Sequence, residues 1–114
     1  MMDESTFHRL AASTLKTLEQ ALSEADDSLD VDLAADILTI EFTDGRTFVI
    51  NSHTAARQIW MAANLEAWHF DPDPVTARWT DSRGRGDLWD VVARQVSARL
   101  GRPVRLSAAA RAGE

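Results

Sequence analysis

Six carboxylates lie close together in the first third of this sequence, in a pattern that could bind cations. They are Glu19, Glu24, Asp26, Asp27, Asp30 and Asp32. Carboxylate oxygens are preferred ligands of hard cations such as Mg²⁺, Ca²⁺, Mn²⁺, Fe²⁺ and Fe³⁺. The same charges would also attract a basic protein surface. The residue types alone therefore leave open a cation site, a surface for a basic partner and an ordinary solvated face.

The acidic charge is concentrated at the N-terminal end of the chain. Residues 1–44 hold eleven acidic side chains against Arg9 and Lys16, whereas residues 45–114 carry three more basic than acidic side chains. Such a field repels phosphate backbones, so we expect no nucleic-acid partner. Carboxylates at the C-terminal end of a helix repel one another, and the negative end of the helix dipole destabilises them further. We therefore expect replacement of the four aspartates by asparagine to raise thermal stability.

Any metal site formed by this chain has to use oxygen or histidine ligands, because the sequence contains no cysteine. The carboxylate spacing does not match an EF-hand, which requires a central glycine and a closing glutamate. The three histidines, His8, His53 and His69, form no metal-binding pattern with the carboxylates. We therefore expect shallow, exposed and weak binding. His8 is within reach of the acidic helix face, although a lone surface histidine is more often inert.

A second group of residues has the character of a protein interface. In the run Gln58-Ile59-Trp60-Met61, the alternation that buries Ile59 and Met61 sends Gln58 and Trp60 to the opposite face of a sheet. No predicted helix covers that face. A large aromatic side chain there, with Asn51 beside it, is typical of a partner-binding surface. The alternative is that the sheet curls or that a loop covers Trp60.

The elements that position these residues follow from the hydrophobic periodicity. Steps of three and four residues predict a helix, alternation predicts a strand, and Asp44-Gly45 predicts a two-residue type I′ hairpin turn. The predicted helices cover roughly 4–25 and 87–100, and the strands lie near 29–33, 38–42, 48–50, 57–62, 67–70 and 76–80. This order predicts an α+β fold, a two-layer α/β sandwich with both terminal helices on one face of an antiparallel sheet. We expect one domain over residues 1–106 and a disordered tail over 107–114.

The sequence contains no catalytic constellation. A Gly-x-Ser-x-Gly motif is absent, and Gly84-Arg85-Gly86 lacks the remaining residues of a phosphate-binding loop. The N-terminus is acidic and no apolar run approaches 18 residues, so we expect no membrane segment and a cytoplasmic protein. These observations predict a protein that is not an enzyme.

Several segments resemble the frataxin family in its bacterial CyaY-type form, over residues 4–106. The resemblance is carried by the Asp-rich end of the first helix and by Phe7-His8-Arg9-Leu10, Leu38-Thr39-Ile40, Asp44-Gly45, Ile50-Asn51, Gln58-Ile59-Trp60 and His69-Phe70-Asp71. It implies a frataxin-like sandwich and makes iron, as Fe²⁺ or Fe³⁺, the ion bound weakly at the surface by the six carboxylates, with other divalent cations in competition. Relatives often carry acids where this chain has Gln20, Ser23 and Ala34, which implies a lower capacity.

The resemblance also implies partners, namely the cysteine desulfurase and the scaffold protein of iron–sulfur cluster assembly, with Asn51, Gln58 and Trp60 as the partner-binding residues. The leading hypothesis is an iron-binding protein that donates iron to this machinery or regulates it. The alternative is a regulatory interaction module whose carboxylates steer basic partners, with incidental iron binding. A ferroxidase would need redox-competent coordination, for which the sequence offers only carboxylates and His8. We expect a monomer and leave metal-driven oligomers open.

Overall fold

The computed structural model describes residues 2–106, so the tail predicted over 107–114 lies outside the described residues. Within them the elements are α1 (Glu4–Ala25), β1 (Asp30–Ala34), β2 (Ile37–Glu41), β3 (Thr47–His53), a 3-10 turn (Thr54–Ala56), β4 (Gln58–Ala63), β5 (Glu66–Pro72), β6 (Trp79–Asp81) and α2 (Leu88–Leu100). The strands form one antiparallel sheet in chain order, β1-β2-β3-β4-β5-β6. Both helices pack on one face of the sheet, which confirms the predicted α+β sandwich. The prediction of a single domain stays a prediction.

Helix α1 is capped at its start and buries one face. The carboxylate of Asp3 accepts a hydrogen bond from the amide of Thr6 at 2.7 Å, which satisfies one of the free amides of the first turn. The buried stripe consists of Phe7, Ala11, Thr14, Leu15, Leu18, Ala21 and Leu22. Its polar member, Thr14, accepts a hydrogen bond from Trp79 Nε1 at 3.0 Å, so the buried hydroxyl ties the helix to the last strand.

Helix α2 has defined signals at both ends. Asp87 accepts a hydrogen bond from the amide of Asp90 at 2.9 Å, and Gly101 ends the helix with φ 74°, a left-handed conformation that favours a residue without Cβ. The chain then turns so that Arg102 reaches back to the end of α1. Neither helix of residues 2–106 is long and apolar enough to cross a membrane.

The outer face of the sheet carries the residues of the predicted interface. The face toward the helices is largely apolar and includes Leu38, Ile40, Phe48, Ile50, Ile59, Met61, Trp68 and Phe70. Strand register aligns a row on the outer face, in which Ile37, Asn51, Trp60 and His69 are neighbours on successive strands. Register therefore brings together side chains that are far apart in sequence.

One predicted turn and one predicted strand segment differ in the structure. The predicted type I′ turn at Asp44-Gly45 is wrong: Gly45 N–H donates to Phe42 O, and of the two predicted turn residues only Gly45 has a positive φ, as in a type I turn followed by a bulge. Residues 76–78, predicted as strand, lie instead in a turn. This turn is closed by Asp73, whose carboxylate accepts hydrogen bonds from the amides of Val75 and Thr76 at 2.9 and 3.3 Å.

Candidate cation and partner-binding surfaces

We call the six predicted carboxylates the acidic ridge: Glu19, Glu24, Asp26, Asp27, Asp30 and Asp32. Two lie on α1, two in the following turn and two on β1. Glu24, Asp27, Asp30 and Asp32 are exposed, whereas Glu19 and Asp26 are half-buried. Glu19 is engaged with Lys16, whose Nζ lies 3.3 Å from Glu19 Oε1. The ridge therefore divides into four open carboxylates and two that already have partners.

Asp26 is the most firmly held member of the ridge. Its Oδ1 accepts hydrogen bonds from the Ser28 amide at 2.9 Å and the Ser28 hydroxyl at 2.6 Å. The guanidinium of Arg102 binds the same carboxylate in a fork, with Nε at 2.9 Å from Oδ2 and Nη2 at 3.0 Å from Oδ1. These bonds, from Ser28 first and from Arg102 next, lower the pKa of Asp26 from 3.8 to about 2. These contacts favour the charged form, so we expect Asp26, unlike the open aspartates, to stabilise the fold, and the gain predicted for replacing all four aspartates stays a prediction.

The two carboxylates of β1 have an acidic neighbour that the sequence analysis missed. Asp30 lies directly opposite Glu41 of β2 in the register, and all three of Asp30, Asp32 and Glu41 are exposed. Like charges at directly opposed positions destabilise a sheet. The alternation of Glu41 with buried Ile40 and Phe42 was a signal of its outward orientation, but only the register shows that it faces Asp30.

The carboxylates do not converge on a closed metal site. Among residues 2–106, no group of three or more His, Asp or Glu side chains is placed so that it could hold one metal ion. The open ridge carboxylates thus offer separate oxygen donors on an exposed surface. Such an arrangement can concentrate cations electrostatically but does not chelate one ion from several sides. The assignment of the ridge as a metal site stays a prediction.

His8 pairs with a residue outside the ridge. Its Nδ1 lies 3.7 Å from Asp36 Oδ2, in the turn between β1 and β2. His8 also lines a shallow hollow with Glu4, Ser5 and Thr54. The structure therefore connects His8 with the β1–β2 turn, not with the C-terminal end of α1.

Trp60 lies at the centre of the outer face, between two histidines. The ring of His53 on β3 stacks on one side with ring centroids 3.8 Å apart, and that of His69 on β5 stacks at 4.4 Å. The interplanar angles are 13° and 17°, so the three rings are nearly parallel. We call this group the Trp60 stack. Trp60 is half-buried. The two rings that stack on it belong to the neighbouring strands β3 and β5, not to a covering loop.

The other predicted partner-binding residues complete this surface. Trp60 Nε1 donates to Gln58 Oε1 at 2.8 Å, and Gln58 Nε2 donates to Asp71 Oδ1 at 2.9 Å. Asn51 lies opposite Trp60 in the register, and its Nδ2 donates to the Ser52 carbonyl at 3.2 Å. The structure thus brings Asn51, Gln58 and Trp60 together as predicted. The structure adds His53, His69 and Asp71 to this surface. Their alternation with buried residues along β3 and β5 could have indicated that they face outward.

A loop secures the free half of β5 and with it His69. Ser82 N–H donates to His69 O at 2.8 Å, and Arg85 Nη2 donates to Ala67 O at 2.9 Å. Burial would raise the pKa of Asp81, but hydrogen bonds from Arg85 and from the amides of the loop lower this pKa below its ordinary value. The loop is therefore built around an ionised, buried carboxylate that holds Arg85 against the strand edge.

The sequence is similar to known proteins over nearly its whole length. The family described as "Frataxin-like domain" matches residues 1–102. The iron–sulfur cluster assembly protein CyaY of Dechloromonas aromatica is 35% identical over 104 residues, which are 90% of this chain and 97% of the relative. The protein of the same name from Pseudomonas fluorescens is 32% identical over 95 residues, covering 83% and 86% of the two chains.

Two solved structures share the fold. A frataxin from Psychromonas ingrahamii, in the CyaY family, superposes with a TM-score of 0.83 at 23% identity and covers 93% of this chain and 99% of its own. A trimeric frataxin from the yeast Saccharomyces cerevisiae, complexed with ferrous iron, gives a TM-score of 0.61 at 25% identity, with 90% and 89% of the two chains covered. Both superpositions agree with the two helices and the antiparallel sheet described above.

Proposed function

The chain belongs to the frataxin-like family, and from this premise we propose that it is an iron-binding protein of iron–sulfur cluster assembly. In this proposal it donates iron to a cysteine desulfurase and scaffold complex or regulates that complex. Its relatives are named assembly proteins, and we propose that it acts without catalysing a reaction of its own. We place it in the cytoplasm, as a monomer that iron can assemble further.

The observation that supports iron binding is the set of open carboxylates on the ridge. Glu24, Asp27, Asp30 and Asp32 are exposed, and Glu41 extends the group on the outer face. Hard cations favour such oxygen donors, and each carboxylate can supply one or two. Since no three of these groups converge, we propose weak binding that keeps most of the water shell of the ion. The ferrous iron in the yeast relative is consistent with this choice of cation.

The observation that supports a partner is the Trp60 stack with its neighbours. An aromatic side chain with satisfied polar groups on an uncovered sheet face has the character of an interface centre. Three strand spacings separate β1 from β4, about 14 Å, so one complex of two proteins can contact the β1 carboxylates and Trp60 together. We propose that basic groups of the desulfurase meet the ridge while the scaffold meets the Trp60 face.

The separated carboxylates also favour a second candidate function. A surface that cannot chelate can still steer a basic partner, so the chain could be a regulatory interaction module with incidental iron binding. In that case the ridge variants would change partner association, and cation uptake would show no preference for iron.

Anaerobic calorimetry with Fe²⁺, repeated in excess Mg²⁺, distinguishes these candidates. We expect binding heat that survives in part in Mg²⁺ and is lost when Asp27, Asp30 and Asp32 are all replaced by Asn. A matched control removes three carboxylates elsewhere, with Glu4→Gln, Asp44→Asn and Glu66→Gln.

Equal loss of heat in the ridge variant and in its control would contradict the ridge as the iron site. Complete loss in Mg²⁺ would favour the interaction module. In the ridge variant, unchanged binding of the desulfurase and scaffold complex would contradict steering by the ridge.

A further inference from the structure

Both faces of the Trp60 indole are covered by neighbouring rings. His53 stacks at 3.8 Å and His69 at 4.4 Å, on the strands to either side of β4. A tryptophan at an interface commonly presents a ring face to its partner. Here the faces are already occupied, so a partner that approaches the sheet meets the edge of the indole and the edges of two imidazoles.

Hydrogen bonds fix the orientation of the indole as well. The Nε1–H of Trp60 is bound to Gln58 Oε1, and Gln58 is bound in turn to Asp71. His53 Nδ1 is shielded from solvent and has no hydrogen-bond partner in the described part of the chain, so ring stacking, not hydrogen bonding, determines its place. The indole is thereby held upright before any partner arrives.

An upright indole keeps an adjacent hollow open. The hollow has a volume of about 140 Å³ and lies beside Trp60 and His69 over the small or apolar side chains of Val49, Ala62 and Ala67. Ala62 and Ala67 are exposed, and an indole released from its two histidines could fold down over them. The stack therefore preserves a shape that a free tryptophan would lose.

We propose that His53 and His69 are positioning residues of the partner interface, which hold Trp60 in its binding conformation and keep the neighbouring hollow accessible. This inference rests on the proposed function, in which the Trp60 face binds the assembly machinery. Holding the side chain in advance removes the entropy loss that an unrestrained tryptophan would suffer on binding. His69 is exposed, and the stack lies on the sheet face away from the core. In this proposal the stacking of the three rings therefore serves partner recognition more than the stability of the fold.

The test compares alanine with phenylalanine at each histidine. His69→Ala and His53→Ala remove a stacking ring, whereas His69→Phe and His53→Phe keep a ring without the imidazole nitrogens. We expect each alanine variant to bind the purified desulfurase and scaffold complex about two- to tenfold more weakly, and each phenylalanine variant to regain most of the affinity. His8→Ala, which removes a histidine outside the stack, is the matched control and should bind as the wild type does.

A second readout separates positioning from simple loss of contact area. The ¹⁵N heteronuclear NOE of the Trp60 indole N–H should fall in the alanine variants and recover with phenylalanine, while the melting temperature changes little. Ala62→Leu, which fills the hollow and leaves the stack intact, should weaken binding without a change in the NOE.

The possible results distinguish this inference from the proposed function. If an alanine variant loosens the indole but binds with unchanged affinity, or if the indole stays rigid, the positioning role is overturned. If Trp60→Ala itself leaves the affinity unchanged, the proposed interface is wrong, whatever the histidines do.

Discussion

The acidic ridge, whose β1 carboxylates lie on the same outer sheet face as the Trp60 stack, differs from that stack in how its polar groups are satisfied. Four of the six ridge carboxylates are exposed, and no three acidic or histidine side chains in residues 2–106 converge on a metal position. In the Trp60 stack, the indole N–H donates to Gln58 at 2.8 Å, and Gln58, beside the stack, donates in turn to Asp71 at 2.9 Å. The four open carboxylates of the ridge therefore present charge without a fixed geometry, and the stack presents a fixed geometry with little charge.

This difference indicates two kinds of recognition. Exposed charges act over about one Debye length and tolerate many arrangements of the partner, so they govern association rates and cation uptake. Rigid aromatic groups act at contact and discriminate by shape, so they govern how long a complex lasts. A protein with both kinds of surface could attract a basic protein complex through the charged surface and bind it specifically through the aromatic one.

The largest expected effect is that of Trp60→Ala on partner affinity. Aromatic residues at the centre of an interface commonly contribute 2 kcal/mol or more, so we expect the dissociation constant for the desulfurase and scaffold complex to rise about 30-fold or more. The heat of Fe²⁺ binding should not change, because the ridge is untouched. Calorimetry measures partner binding and Fe²⁺ binding on the same Trp60→Ala protein. A loss of iron binding would show that the two surfaces are not independent.

A smaller effect, about tenfold, is expected for salt on the association rate. Raising the ionic strength from about 0.05 to 0.5 M should slow association of the wild type, because exposed charges are screened over shorter distances at high salt. The dependence of the association rate on ionic strength should become weaker when Asp27, Asp30 and Asp32 are all replaced by Asn. It should be unchanged in Trp60→Ala. Stopped-flow measurement of the association rates tests this prediction. Loss of the salt dependence in Trp60→Ala would contradict the assignment of steering to the ridge and of contact to the Trp60 stack.

The fold was predictable because it depends on periodicity along the chain. Helix α1, helix α2 and the alternation of β2 to β5 follow from spacings of 3.6 and 2 residues. The alternation also placed Gln58 and Trp60 on the outer face. The conformation of the turn at Ala35-Asp36 was not predictable, because both residues adopt a positive φ, which Asp36 tolerates but the Cβ of Ala35 disfavours.

The details of both surfaces depend on contacts between distant segments. Asp26 meets Arg102, 76 residues further along the chain, and no local pattern indicates that pair. Stacking of His53 and His69 on Trp60 depends on register across three strands, which alternation leaves undetermined. The sequence therefore shows which residues face outward, and the structure shows which of them contact each other.

Within the ridge, Asp26 should behave in the opposite way to its neighbour. Asp26→Asn loses the charged bonds from Arg102 and weakens the Ser28 turn, so we expect a melting temperature lower by a few degrees. Asp27→Asn removes an exposed charge near other acids and should leave the melting temperature equal or slightly higher. Calorimetric scans of the two variants at pH 7 make the comparison, and equal shifts would contradict it.

The pH dependence of the Asp26 effect has a definite sign. The folded pKa is about 2, below the ordinary 3.8, so the charged form stabilises the fold above pH 4 and this contribution is lost as the pH falls toward 2. The difference in melting temperature between wild type and Asp26→Asn should be constant from pH 7 to about pH 5 and shrink below it. A difference that stays constant down to pH 2 would show that Asp26 acts by shape and not by charge.

The smallest expected effect is that of Glu41, which lies opposite Asp30 at the end of β2 away from the row that contains Trp60. Glu41→Lys replaces a like-charge pair with Asp30 by an attractive pair, so we expect a gain of about 0.2–1 kcal/mol in the free energy of unfolding by urea denaturation. Glu41→Gln should give part of this gain. If either variant also weakens Fe²⁺ binding, Glu41 belongs to the ridge, and the charged surface extends from β1 onto β2. Unchanged iron binding would confine the ridge to α1, its turn and β1, and would leave Glu41 as a neighbour that only adds repulsion.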